Sequence, residues 1–295
     1  MPKVRSSSFR RRRASLDARR AAGINAEMSA PRAGNGVSYY LTTLPIWALI
    51  GLVVVLPTAA AMIAQVLIHN RVGVQRLAKN NEIAGFKFAT VGVIYAVLLA
   101  FAVIVVWEKF SEAESAVAQE GAAAAALFRY ADGEGPEAKA LRAALAKYLR
   151  SAVAREWPQM GEESGSHDVT AALSDVYRAA MALNRSGDRT YADMAEVFAQ
   201  LDHLTTARRI RLHLATGLVP NVIWIVLFAG GFLTIGFTLF FGAENLPAQV
   251  AMTGVLSVLV TMGLVVIVSI DHPFTGPTHI SAHPLRDVLA EFAPE

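Results

Sequence analysis

The chain has 295 residues, of which 54% are hydrophobic and only 17% are charged, and its mean hydropathy is positive. A soluble domain carries about 25% charge, so this composition points to a membrane protein. There is no cysteine, which excludes a disulfide framework, a thiolate metal site and a cysteine nucleophile.

Residues 1–43 hold nine Lys/Arg against Asp17 and Glu27, a balance of +7, while the other 18 basic and 22 acidic residues give −4 and the whole chain +3. Basicity is a property of this arm, so nucleic-acid binding is not expected. Arg10–Arg13, Arg19 and Arg20 sit among Ser, Ala and Gly with no apolar face, which predicts a disordered basic arm. Such an arm suits anionic lipid or simple solvation. A start at Met28 would remove most of it.

Leu44–Ile68 is the first expected membrane span, 25 residues without a formal charge, where about 20 suffice. Trp47 sits near one end as an interfacial aromatic would, and Pro57 predicts a kink in mid-span. The link that follows carries Arg71, Arg76, Lys79 and Lys87. Phe88–Trp107 is the second span, uncharged, with Lys87 before it and Glu108 and Lys109 after it. No break separates it from SEAESAVAQEGAAAAALFRY, so one rod is expected to pass from membrane to water.

The region 108–217 reads as a helical extramembrane domain. Leu141, Leu145, Tyr148, Leu149 and Val153 recur at helical spacing, as do Val169, Leu173, Val176 and Tyr177. Thr190 is the expected N-cap of a helix over Tyr191–Leu214 that could run into the third span. That span is Leu218–Phe241, with Gly230, Gly231 and Gly236 suited to close helix packing. A short turn leads to the fourth, Val250–Ile270, and residues 271–295 read as a C-terminal turn and tail. The expected fold class is therefore all-α, an integral membrane protein with transmembrane pairs over 44–107 and 218–270. Counting the arm, the positive-inside rule favours a multi-pass protein of the inner membrane with its helical domain cytoplasmic. Without the arm, the basic link argues the reverse.

Two stretches carry a resemblance: NNEIAGFKFATVGVIYAVLLAFAVIVVWEKFSEAESAVAQE, and SIDHPFTGPTHIS directly after the fourth span. In this order they resemble the bacterial bestrophin-like membrane protein family, over roughly Leu44 to Phe292 and least across Asp132–Arg189. More distantly they are similar to true bestrophins, which are pentameric anion channels whose second membrane helix lines an apolar neck. The resemblance implies a homo-oligomer, a pentamer if it extends to assembly, that conducts anions across the lipid bilayer. It marks Asp271, His272, Pro273, Phe274 and Gly276 as a post-span turn, with one residue more than the Pro-Phe-Gly turn of bestrophins. Pro277-Thr278-His279 stands where animal members place an acidic calcium clasp, so no calcium site is implied, and no cofactor or metal is expected.

If the second span lines a pore, Thr90, Ile94, Leu98, Phe101 and Val105 form the lining stripe, with Tyr95 beside it. The same stripe would serve equally to pack on neighbouring helices. His272, His279 and His283 follow the fourth span, and a turn sealing that span is a better reading of them than metal binding or proton sensing. Glu108, Lys109, Glu112 and Glu114 would form a charged vestibule in an oligomer. Glu112 and Glu114 would favour cations there, against an anion pore, unless they point outward, and in a monomer they make an ordinary solvated turn. Arg208, Arg209 and Arg211 are expected to anchor the third span at lipid headgroups. No nucleophile motif or phosphate loop occurs, and the spans hold no ionisable side chain except Tyr95. The chain therefore reads as no enzyme and as a passive pore rather than a proton-coupled carrier. The alternative is a non-conducting scaffold or sensor that binds a partner through its helical domain.

Overall fold

A computed structural model describes residues 37–79, 81–133, 135–161, 164–186, 190–276 and 278–292. Most of the basic arm, residues 1–36, lies outside the described residues. No strand occurs among the described residues, and four helical segments are long and apolar enough to cross a membrane.

Two short helices, α1 (Val37–Thr42) and α2 (Ile46–Ile50), lead into the first span. Gly51–Val55 then winds as a π-helix before α3 (Leu56–Val72). Proline gives no N–H to the carbonyl four residues back, and its ring presses on that carbonyl. A wider π turn just ahead of Pro57 relieves both, so the disturbance expected at the proline falls one turn earlier. The same device recurs in the domain, where a π turn over Ala152–Glu156 precedes Pro158.

Helix α3 stops at Gly73, whose φ of +83° favours glycine, and α4 (Val74–Ala78) fills the link. Helix α5 (Asn81–Tyr130) is the expected rod, 50 residues without a break, or about 75 Å at 1.5 Å per residue. It contains no proline, and its alanine-rich second half favours helix strongly. The domain continues with α6 (Pro136–Ser151), α7 (Trp157–Met160), α8 (His167–Ser186) and α9 (Tyr191–His213). Thr190 caps α9 in a reciprocal capping box with Asp193. Helix α9 does not run on into the third span. It ends at Leu214, and α10 (Asn221–Phe237) begins afresh after Pro220. Helix α11 (Leu246–Ile270) is the fourth span, capped by Asn245. The stretch read as turn and tail also contains a helix, α12 (His283–Phe292), with Pro284 in its first turn, where proline is tolerated.

The domain core is built by the outer half of α5 with α6, α8, α9 and α12. Leu141, Leu145, Tyr148 and Leu149 are fully buried, and Val169, Leu173 and Val176 of α8 join them. Helix α12 lies against α5 where Gly121 leaves room: a Cβ there would meet the Pro284 carbonyl oxygen at 3.1 Å. Phe292 stacks on Phe128 with ring centres 5.4 Å apart.

Among the spans, small residues set the contacts. A Cβ on Gly230 would lie 2.7 Å from the Tyr95 ring, so α10 meets α5 at Gly230 and Gly231, whereas Gly236 faces open space. Gly263 of α11 admits Leu99 of α5 in the same way. Spans one and four share the Thr58–Ser257 hydroxyl contact at 3.1 Å.

Candidate functional site

Helix α5 presents the expected stripe away from the other three spans. Thr90 is exposed, and Ile94, Leu98, Phe101 and Val105 are between 42% and 64% exposed. Its opposite face, through Tyr95, Leu99, Ala102, Val103 and Val106, packs within the protomer. Tyr95 is therefore not part of the stripe. Its hydroxyl donates to the Leu227 carbonyl at 3.1 Å and fastens α5 to α10.

Seven residues bring a helix within about 20° of two full turns. Lys87, seven before Ile94, and Glu112, seven after Val105, thus continue the stripe at its two ends, and both are exposed. Glu112 accepts from Lys109 at 2.7 Å. Glu114 is two positions further on, about 200° round the helix from Glu112 at 100° per residue, and points away from the stripe.

The post-span turn is a compact joint. The fully buried Asp271 carboxylate accepts from the backbone N–H of Leu218 at 3.0 Å and of Val219 at 2.8 Å. It thereby ties the end of α11 to the entrance of α10. His272 is buried beside it, its Nδ1 3.2 Å from Asp271 Oδ2, while its ring faces Gly217. Phe274 meets Trp157 edge-on, and the indole N–H of Trp157 donates to the Ile280 carbonyl at 3.3 Å. The Ile280 N–H in turn donates to the Pro273 carbonyl at 2.7 Å. Gly276 has φ +78°, and a Cβ there would sit 2.6 Å from the Thr42 carbonyl oxygen, so only glycine fits. The three histidines go to different surroundings: His279 turns back on the Gly276 carbonyl at 2.9 Å, and His283 opens α12. Among the described residues no three acidic or histidine side chains converge as metal ligands.

Behind this joint lies a buried ion network. Arg211 donates through Nε and Nη2 to Glu120 at 2.6 and 3.0 Å, and through Nη2 to Glu156 at 2.9 Å. Arg208 donates to both oxygens of Glu156 and to Thr170, and the Tyr148 hydroxyl donates to Glu120 at 2.5 Å. The Arg211 guanidinium also lies 4.8 Å from the centre of the Trp157 ring, a cation–π contact. Two cations and two carboxylates balance, so no net charge is buried. Burial alone would raise the Glu156 pKa, but the Arg208 hydrogen bond and the two guanidinium charges outweigh it and hold the carboxyl below its usual range. Burial and the adjacent Glu120 charge push the Tyr148 hydroxyl far above its usual range, so it stays a donor.

This network corrects the expectation for the three arginines. Only Arg209 is exposed; Arg208 and Arg211 turn into the domain and anchor helices to one another, not to lipid. Glu120 and Glu156 carried no expected role. A signal for Glu120 was present, since it shares a helical face with Ala113, Val117, Ala124 and Leu127, all buried. A lone carboxylate on such a face requires a buried cation.

Four membrane-crossing helices, with the second and the third continuing into one helical domain through a rod and a capped joint, define an all-α multi-pass membrane protein. A family model described as a bestrophin-like domain matches residues 55–285, so the chain belongs to the bestrophin-like family. No curated protein matches the sequence. Among solved structures, a substituted form of the bacterial bestrophin homologue from Klebsiella pneumoniae aligns with TM-score 0.65 at 14% identity, covering 80% of this chain and 97% of that one. The structure of that homologue obtained by zinc phasing aligns with TM-score 0.64 at 14% identity, covering 81% and 98%. A crystal structure described only as a membrane protein gives TM-score 0.62 at 15% identity, covering 81% and 99%. At these identities the likeness is one of fold.

Proposed function

We propose that the chain assembles into a homo-oligomeric ion channel for anions, with α5 of each copy lining a central pore. The observation that carries this reading is the apolar stripe of Thr90, Ile94, Leu98, Phe101 and Val105, exposed on a helix whose other face is already packed. Membership of the bestrophin-like family supports it. Converging apolar side chains form a constriction that gates by dewetting, and the Phe101 ring edges carry partial positive charge that suits anions. One lining helix per copy cannot enclose a pore in a monomer or dimer, and a ring of five does so with one kind of interface. Spans without charged side chains suit passive conduction and give a coupled carrier no proton relay. The charge of the arm supports a cytoplasmic helical domain in an inner-membrane assembly, and the basic link between the first two spans pulls the other way.

The test is a mass measurement on the detergent-solubilised protein, followed by reconstitution into lipid bilayers with chloride as the permeant anion. We expect a particle of several copies, a current, and a higher conductance for Phe101→Ala, which opens the bulkiest ring. Phe232→Ala, on α10 and 76% exposed, leaves the conductance unchanged. A monomer or dimer, or bilayers silent at every salt and pH, overturns the reading and favours the scaffold.

A further inference from the structure

We infer that the two mouths of the pore carry fixed charge of opposite sign, Lys87 at the link side and Glu112 with Glu108 at the domain side, so that the pore rectifies. The inference rests on the pore reading above and adds to it a direction of current.

Lys87 and Glu112 are 25 residues apart on one unbroken helix. At 100° and 1.5 Å per residue they lie within about 20° of the same face and about 37 Å apart along the axis. Both therefore sit on the line of Ile94, Leu98, Phe101 and Val105, one at each end of the apolar stretch. Other charges reinforce each sign. On the link side Arg71, Arg76, Lys79 and Lys87 outnumber Glu82 and Glu244. Where α5 leaves its apolar stretch Glu108 and Glu112 outnumber Lys109, and Glu114 points away from the stripe. The Lys109–Glu112 pair has both side chains nearly half exposed, and an exposed pair of this kind holds its partners only weakly. The mouths are separated by more than the Debye length, about 10 Å at 0.1 M salt, so each acts on its own stretch of the pore.

A ring of fixed charge concentrates ions of opposite sign in front of it. Anions gather at the Lys87 ring and cations at the Glu112 ring. When the domain side is positive, the field drives anions inward from the link side, where the Lys87 ring has gathered them, so the pore fills. With the field reversed anions must enter past the Glu112 ring, which repels them, and the pore is depleted. Current is therefore larger with the domain side positive.

The experiment is a current–voltage curve in symmetric potassium chloride. Insertion sidedness is scored on a Ser174→Cys background with a membrane-impermeant thiol reagent, since the chain has no cysteine of its own. In dilute salt we expect the current at equal and opposite voltages to differ by about twofold or more. The ratio falls towards one in 1 M salt, where screening shortens to about 3 Å. Lys87→Gln and Glu112→Gln each reduce the ratio, Lys87→Glu with Glu112→Lys inverts it, and Glu114→Gln leaves it unchanged. A conducting pore that is ohmic in dilute salt, that rectifies in the opposite sense, or whose ratio ignores Lys87 and Glu112 overturns this inference while leaving the channel standing. Silent bilayers overturn both.

Discussion

In the extramembrane domain Leu141, Leu145, Tyr148, Leu149, Leu201 and Leu204 are fully buried, and two guanidinium groups and two carboxylates are buried with them. In the spans Ile94, Phe101, Ile225, Phe232, Val255 and Leu259 are more than half exposed. One helix, α5, belongs to both regimes. Between Ala113 and Phe128 its inner face is closed by α6, α9 and α12, whereas between Thr90 and Val105 a whole face is left free. The domain is complete within one copy and pins its helices with directed polar contacts. The spans meet through small residues and leave the rest of their apolar surface to lipid or to another copy. Damage to the domain should therefore appear as lost stability, and damage to the exposed stripe, if it lines the proposed pore, as changed conduction.

The sharpest test of that division is Arg211→Leu. It leaves Glu120 and Glu156 buried without their shared cation, and breaking a buried pair in this way costs about 3–5 kcal/mol. Chemical unfolding of the solubilised protein, followed by tryptophan fluorescence, should show the loss. Arg209→Leu, exposed two positions earlier, should stay within about 0.5 kcal/mol. Equal effects at both positions would remove the network from the account.

A second comparison uses glycines. Gly230→Ala forces a methyl group into the Tyr95 ring and should cost about 1–3 kcal/mol. Gly236→Ala, on the same helix, meets nothing within 4 Å and should be neutral or slightly stabilising through helix propensity. Melting temperatures in detergent separate the two. If Gly236→Ala is as damaging as Gly230→Ala, then Gly236 faces another copy.

These contrasts also explain how far the sequence could be read. Domain helices are amphipathic, so Leu141, Leu145 and Leu149 revealed both the helix and its buried face. A span is apolar all round, and its period says nothing about what it faces; the length of Phe88–Trp107 gave the helix but not the role of Ile94 or Phe101. Polar partners distant in sequence were equally hidden. Glu120, Glu156 and Arg211 come from three helices, and although Arg211 continues the helical line of buried Met194, Val197, Leu201 and Leu204 while Arg209 lies off it, that line does not say which carboxylates it meets. Helix α12 was missed because residues 271–295 read as turn and tail, although a proline in a first turn, here Pro284, is compatible with a helix. The joint at Asp271 was legible as a turn, but its capping of Leu218 and Val219 depends on two chain segments 52 residues or more apart.

The Tyr148 hydroxyl tests how tightly the network is drawn. Tyr148→Phe keeps the ring and removes one donor to Glu120, which retains both contacts from Arg211. The cost should be about 1.5–3 kcal/mol, the range for a hydrogen bond to a charged group, and thus below that of Arg211→Leu. A loss as large as the arginine's would mean that Glu120 depends on the hydroxyl more than on the guanidinium.

The smallest effect concerns acid. The Glu156 carboxyl is held below its usual pKa in the folded domain, so the unfolded chain binds its proton more readily. Stability from this group is fully present above the unfolded carboxylate pKa, near 4.5, and is lost as pH falls through the lower folded value. The domain should therefore soften on acidification below about pH 4.5 and show no change from this group near neutrality. Glu156→Gln removes the titration and weakens the hold on Arg208 and Arg211. Its stability should be lower at neutral pH and flatter towards acid than the parent's, measured by unfolding midpoints across the acid range. Parallel curves for the two proteins would show that Glu156 is not the group through which acid acts.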